Sequence, residues 1–278
     1  MDVGEDELRV GGLTLKGVTR GGIQTCLFVP ELGVMFDAGG RIRGQRKWST
    51  ILVTHGHQDH LGGLPYLVSQ RALAGLAPPD VHMPIEIVDP FRRIMEAWSE
   101  IEGFALQVHL HGHAPGDRVE LGKGRAAIPL RTVHRVPSLA WVIERTSRRL
   151  ASEHVGKDPA ELEALRHRGV DITELHVTPV LCVTGDTQIE LFDREPLVRQ
   201  SKVLAYEVTS WDDRRGVEDT RRWGHTHVDE MIERAELFEG EALVLVHRSP
   251  RHTRAEAEQV VRERFPSSIR DRVHVFGR

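Results

Sequence analysis

Residues 54–63 read THGHQDHLGG, so His55, His57, Asp59 and His60 put four metal-binding side chains into six residues. The apolar run Ile51-Leu52-Val53 comes directly before them. A strand that ends in such a cluster is the beginning of a metal site, because a loop at a sheet edge can aim its side chains at a common point. Imidazole and carboxylate suit zinc or a similar divalent ion, and the two types crowded on one loop can serve two ions at once.

The remaining ligands should also stand where an apolar stretch ends. Three residues do: His134 in RTVHRV, Asp186 in LCVTGDT and His247 in LVLVHRSPR. Coordination is satisfied if His55, His57 and His134 hold one ion, Asp59, His60 and His247 hold the other, and Asp186 bridges them together with a water. Each ion then keeps an open position, as a catalytic rather than a structural site requires. A second tract, VHLHGHAPGD, alternates His109, His111 and His113 and ends in a Pro-Gly turn. It reads as an exposed strand end and not as a metal site.

The 278 residues are 40% hydrophobic and 28% charged, enough for a sizeable core in one large domain or two small ones. No interdomain linker or low-complexity tract divides them, so a single domain over residues 1–278 is expected. The first ten residues are acidic and polar, and no apolar run approaches a membrane span, which leads to a cytoplasmic expectation with no membrane partner. Cys26 and Cys182 each lie in an apolar segment and read as buried thiols, leaving any metal to His and carboxylate. A net charge of −4 supplies no general attraction for nucleic acid, so an RNA would need local basic patches. Candidates are Arg41, Arg43, Arg46 and Lys47, then Arg145, Arg148 and Arg149, then Arg248, Arg251 and Arg254; each also reads as an ordinary solvated face.

Period-two apolar runs predict strands at 13–18, 25–29, 34–37, 51–54, 106–110, 118–121, 127–132, 139–144, 180–184, 203–208, 243–247 and 273–276. Helical spacing predicts helices at 64–76, 84–103, 228–239 and 253–265, and a helix-prone charged segment at 146–170 with an N-cap at Asp158-Pro159. Strands and helices alternate in both halves. The class is α/β, with two sheets packed on each other and helices outside.

With FDAGG, THGHQDHLGG, His134, GDT and His247, the chain resembles the metallo-β-lactamase superfamily, and within it the tRNase Z family of tRNA 3′-processing endoribonucleases in its short plant-type form. The narrower likeness rests on TCLFVPELGVMFDAGG, HLGGLPYLVSQRAL, YEVTSWDD with the later WGHTH, and HRSPRHT. The resemblance implies an αββα sandwich of two mixed sheets flanked by helices, two Zn2+ ions per subunit (with Mn2+ or another divalent ion as substitute), a homodimer and precursor tRNA as substrate. It gives Asp59 a second task, handling the proton of the attacking water. It makes Glu207 and His225 the pair that protonates the leaving oxygen, although on spacing alone they read as a surface ion pair, and His227 competes for the same role. Asp37 is expected to orient a ligand histidine, and Arg251 to hold a phosphate. Two departures stand out. Arg248 and His252 occupy positions where the family more often carries aromatic residues, and residues 146–178 leave room only for a reduced substrate-binding arm. The alternative is a phosphodiesterase or other hydrolase of the same superfamily acting on a smaller substrate.

Overall fold

Short apolar runs separated by turns become, in the N-terminal half, β1 (Asp6–Val10), β2 (Leu13–Arg20), β3 (Gln24–Val29), β4 (Val34–Phe36), β5 (Thr50–Leu52), β6 (Asp80–Pro84) and β7 (His109–His113). The computed structural model describes residues 4–278. The seven strands lie side by side in chain order, β1 to β4 antiparallel and β4 to β7 parallel. The C-terminal half repeats the plan with β8 (Val119–Gly122), β9 (Arg125–Arg131), β10 (Leu139–Leu150), β11 (Thr173–Val183), β12 (Val203–Glu207), β13 (Ala242–Val246) and β14 (Val273–Val275). Here β8 to β11 are antiparallel and β11 to β14 parallel. The halves share a topology although no letters repeat, since pairing order depends on apolar alternation and connection length, which many sequences satisfy.

Alternation sorts the layers. On β12, Val203 and Ala205 turn toward the other sheet while Leu204 and Tyr206 turn to the helices; on β13, Val244 and Val246 face inward and Leu243 and Leu245 outward. The inter-sheet layer joins these residues to Leu15, Leu27, Phe36 and the fully buried Trp141. The first sheet is covered by α1 (Gln58–Leu61), α2 (Leu64–Leu73) and α3 (Ile85–Glu102), with Leu64, Leu67, Phe91 and Met95 packed on Ile51 and Val81. Of the later helices, α4 (Pro159–His167) lies apart at the end of a hairpin. The second sheet is covered by α5 (Glu190–Arg194), α6 (Pro196–Gln200), α7 (Val217–Arg222), α8 (Val228–Arg234) and α9 (Arg254–Arg264), through Phe192, Met231 and Phe265 among others. These layers make the expected αββα sandwich. Both cysteines are buried free thiols.

Several expectations shift. The strand expected at 106–110 lies at His109–His113, so the histidine tract is the edge strand β7 itself and not the end of one. His82 on β6 pairs in register with His111 and stacks on it, and its Nδ1 lies 2.9 Å from His113 Nε2. Burial, reinforced by His111 and His113, pushes the His82 pKa down to about 4. Strands β1 and β6 were not foreseen; DELRV and DVHMP carry too many polar residues to read as strands. Of the segment 146–170, only α4 is α-helical, begun as expected by Asp158 accepting from Ala160 N–H. The flanking residues extend β10 and β11 into a two-stranded ribbon, paired out to Leu150 with Thr173, whereas the pairing with β9 stops at Arg145.

Candidate metal centre

The strand ends on one rim of the sandwich supply the functional side chains, the general location of sites in parallel sheets. Asp37 follows β4 and His55 follows β5. His57, the N-cap of α1, and Asp59 and His60 within its first turn complete the THGHQDH segment. From the second sheet come His134 after β9, Asp186 after β11, Glu207 as the last residue of β12 and His247 just beyond β13. The sheets are fastened beneath this rim by Trp141 Nε1 donating to the Val53 carbonyl at 3.0 Å and by a bridge between His55 and Ser138. The rim is tight. A Cβ on Gly39 would fall 1.7 Å from the Asp59 carbonyl oxygen, so only glycine lets the FDAGG turn pass the cluster. Asp37 and His247 hold left-handed backbones (φ 57° and 61°), a strain that collects at functional sites.

Ring nitrogens meet each other across the site. His55 Nε2 lies 3.0 Å and His134 Nε2 3.4 Å from His57 Nδ1, while His60 Nε2 lies 3.2 Å from His247 Nε2. The opposite nitrogens are already committed. His60 Nδ1 donates to Asp37 Oδ2 at 2.8 Å, and His134 Nδ1 to the Gly224 carbonyl at 2.8 Å. Thr54 Oγ1 is 3.0 Å from His55 Nδ1 and Thr209 Oγ1 is 2.9 Å from His247 Nδ1; both hydroxyls also reach carboxylates, Asp37 and Glu207, to which they donate. The tautomers that this network selects turn the lone pairs of four Nε2 atoms inward. Lone pairs converging at such distances repel unless a cation lies between them, and a tetrahedral zinc with nitrogen ligands at its usual bond length separates them by about 3.3 Å.

Asp186 completes both groups. Its Oδ2 is 3.6 Å from His55 Nε2 and 4.0 Å from His134 Nε2, and its Oδ1 is 3.3 Å from His60 Nε2 and 3.2 Å from His247 Nε2. Oδ1 is fully buried and, despite those distances, has no partner in hydrogen-bond geometry. Asp59 Oδ2 stands 3.6 Å from His247 Nε2 and accepts the Gly22 N–H at 2.8 Å. The donors thus fall into the sets His55, His57, His134, Asp186 and Asp59, His60, His247, with a third grouping, Asp186, His225 and His247, overlapping both. Such donors, neutral imidazole and carboxylate with an orphaned oxygen between them, fit a divalent metal.

A beta-lactamase superfamily domain model matches residues 34–180. A tRNase Z of Arabidopsis thaliana is 31% identical over 268 residues, which cover 96% of this chain and 95% of the relative. The chain belongs to the tRNase Z family. A chloroplastic tRNase Z of Arabidopsis thaliana is also 31% identical, over 89% of this chain and 70% of the relative. In fold, the chain is similar to the short form of human tRNase Z (TM-score 0.60, 17% identity, 94% of each chain) and to the metallo-β-lactamase fold protein YhfI from Bacillus subtilis (TM-score 0.63, 12% identity, 94% of each).

The side chains of the cluster tune one another's protonation. Burial opposes protonation of His60, but the Asp186 and Asp37 carboxylates outweigh it and hold this imidazole well above its ordinary pKa. Burial, and then the charge on His60, push His55 well below; burial also depresses His57 and His134. Asp59, despite the opposing effect of burial, is drawn down to about 2 by the neighbouring His247 and His60 rings.

Glu207 and His225, eighteen residues apart, are in contact rather than on the surface: His225 Nδ1 donates to Glu207 Oε1 at 2.9 Å. Glu207 is fully buried, and its oxygens also accept from Thr187 N, Thr226 N and Thr209 Oγ1. Burial disfavours the charged imidazole, but Glu207 overrides it and lifts the His225 pKa to about 9. His225 Nδ1 is 3.8 Å from Asp186 Oδ2, beside the donor cluster. His227 is elsewhere, capping α8 by accepting the Asp229 N–H and reaching the Asp212 carbonyl with Nε2. Arg251 lines a cleft of about 350 Å3 with His225, His247, Arg215 and Trp223. Arg248 is buried, bonded to the carbonyls of His252 and Gly277, a packing role in place of an aromatic ring. Thr54, Thr209 and the Gly224 carbonyl, which orient the donor rings, are absent from the sequence-based expectations. Thr54 and Thr209 stand within the quoted motifs, but a carbonyl has no letter of its own.

Proposed function

We propose that this chain is a zinc-dependent endoribonuclease that removes the 3′ trailer from precursor tRNA, with two zinc ions in each subunit of a homodimer. The observation that carries the reading is the buried Glu207–His225 pair set against two converging donor groups: a proton donor stands beside a site built for cations. The full-length likeness to proteins named tRNase Z supports the substrate. Divalent ions held there supply positive charge for the phosphodiester oxygens and lower the pKa of water at the site.

The chain's own residues divide the remaining work. Asp59 takes the proton of the attacking water as its oxygen adds to phosphorus. The bond from phosphorus to the 3′-oxygen of the tRNA breaks, and that oxygen receives the proton held on His225, leaving a 3′-hydroxyl on the tRNA and a 5′-phosphate on the trailer. Glu207 keeps the imidazole charged and aimed, and Arg251 in the adjoining cleft holds a flanking phosphate. The ribbon of β10 and β11, capped by α4 and bearing Arg145, Arg148, Arg149, Arg166 and Arg168, serves as the reduced arm that grips the tRNA body. Dimerisation is supported by the apolar row Ile94, Trp98 and Ile101, exposed on α3.

The test is cleavage of a 3′-extended precursor tRNA with both product ends mapped. Cutting next to the discriminator base, abolished by Asp59→Ala, is expected. Hydrolysis of a generic phosphodiester with the precursor left intact would transfer the site to a smaller substrate.

A further inference from the structure

Trp223 is out of place as a packing residue. Trp141 and Trp211 are buried at 0% and 3% exposure, whereas Trp223 is 49% exposed at the mouth of the cleft that holds His225 and His247. The guanidinium of Arg135 lies over its ring, 4.7 Å from the centroid. Both partners are anchored to the metal-binding rim. Arg135 directly follows the donor His134. Trp223 ends α7 and precedes Gly224, whose carbonyl fixes His134 Nδ1, and His225 comes next. Gly224 has φ +82°, and a Cβ there would lie 2.6 Å from His134 Nδ1, so the Trp-Gly-His turn is pinned against the centre.

We propose that Trp223 and Arg135 form a stacking platform for one nucleobase of the RNA, that of the nucleotide whose 3′-oxygen His225 protonates. This inference rests on the proposed function and adds how the nucleotide at the cut is held. An indole face and a planar guanidinium are the surfaces on which unpaired bases stack, and such stacking tolerates any base. The cleft below is lined by Arg215 and Arg251 and by no carboxylate, so a phosphodiester chain leaving the platform meets only cationic or neutral groups. Trp223 and His225 flank one glycine, which assigns the platform to the nucleotide on the leaving-group side rather than to the trailer.

The experiment measures kcat and KM on a precursor tRNA and on two versions that lack one base, either at the last tRNA nucleotide or at the first trailer nucleotide. Trp223→Ala is expected to raise KM about tenfold, the order of one stacked base, with a smaller change in kcat and full metal content. Trp223→Phe should recover most of that loss, and Arg135→Ala should produce a smaller rise. Removing the last tRNA base should cost wild type about as much as Trp223→Ala does, and cost Trp223→Ala little more. Equal sensitivity of both proteins to that missing base overturns the platform, and coupling to the trailer base overturns its assignment. Wild type that leaves the precursor uncut defeats the proposed function instead. The platform is then decided by whether a short single-stranded oligoribonucleotide binds wild type more tightly than Trp223→Ala.

Discussion

His225 is charged because Glu207 is beside it, and the two cannot be judged separately. Replacement by alanine is expected to lower kcat on precursor tRNA by about 10²- to 10⁴-fold, the range for a lost general acid, with metal content unchanged by elemental analysis. Wild-type turnover in that variant would remove the role. The pair also carries a stability signature in the metal-free protein. The folded pKa of His225, about 9, is raised above its ordinary 6.5. Its contribution is therefore complete below pH about 6.5 and lost as pH rises through about 9, and amounts to up to about 3 kcal/mol. Denaturant midpoints of metal-free wild type and His225→Ala should converge between pH 6.5 and 9.5; a gap independent of pH contradicts the pairing. At this scale the sequence was legible where chemistry is written in neighbouring letters, as in His55 to His60. It was not legible where tertiary approach decides, as with the Gly224 carbonyl. The strand expected at 106–110 was placed three residues early, since the histidine tract that forms it pairs with His82, which arrives from a different strand.

Between residue and fold, the Trp-Gly-His turn and the ribbon matter most. Gly224→Ala forces a side chain into a left-handed backbone and against His134, a strain of about 1–3 kcal/mol. It should reduce metal occupancy and lower Tm in the metal-loaded protein; unchanged stoichiometry and Tm would mean that the turn does not hold His134. Replacing residues 146–177 by a short turn removes α4 and the ribbon beyond Arg145 while leaving the parts of β10 and β11 that pair within the sheet. KM for precursor tRNA is expected to rise more than about tenfold, on the scale of several lost phosphate contacts, with hydrolysis of a small phosphodiester retained. Equal losses on both substrates would make this a folding effect. The ribbon was hidden because its outer residues, such as Arg148 and Leu175, pack against no second layer, and on β10 the stretch 145–149 (RTSRR) carries no apolar residue at all. The strands that bury both faces, β12 and β13, were read within a residue or two.

For the molecule as a whole, the αββα order followed from the alternation of strands and helices, while the matching topology of the two halves did not, since it leaves no repeated letters. The assembled protein is expected to sediment as a dimer, and charge placed on the exposed row of α3, as in Trp98→Glu, should give a monomer with its fold intact by circular dichroism. A monomeric wild type at micromolar concentration would show that this face is left to solvent. One consequence follows from strand order. Because each sheet is made of consecutive strands, the boundary between sheets falls near the middle of the chain, and the donors divide there, His55, His57, Asp59 and His60 before it and His134, Asp186 and His247 after it. During synthesis the first sheet emerges with half a binding site and half of a shared interior. The full donor set exists only once the second sheet has packed on the first, so the site and the shared interior form together as one cooperative unit.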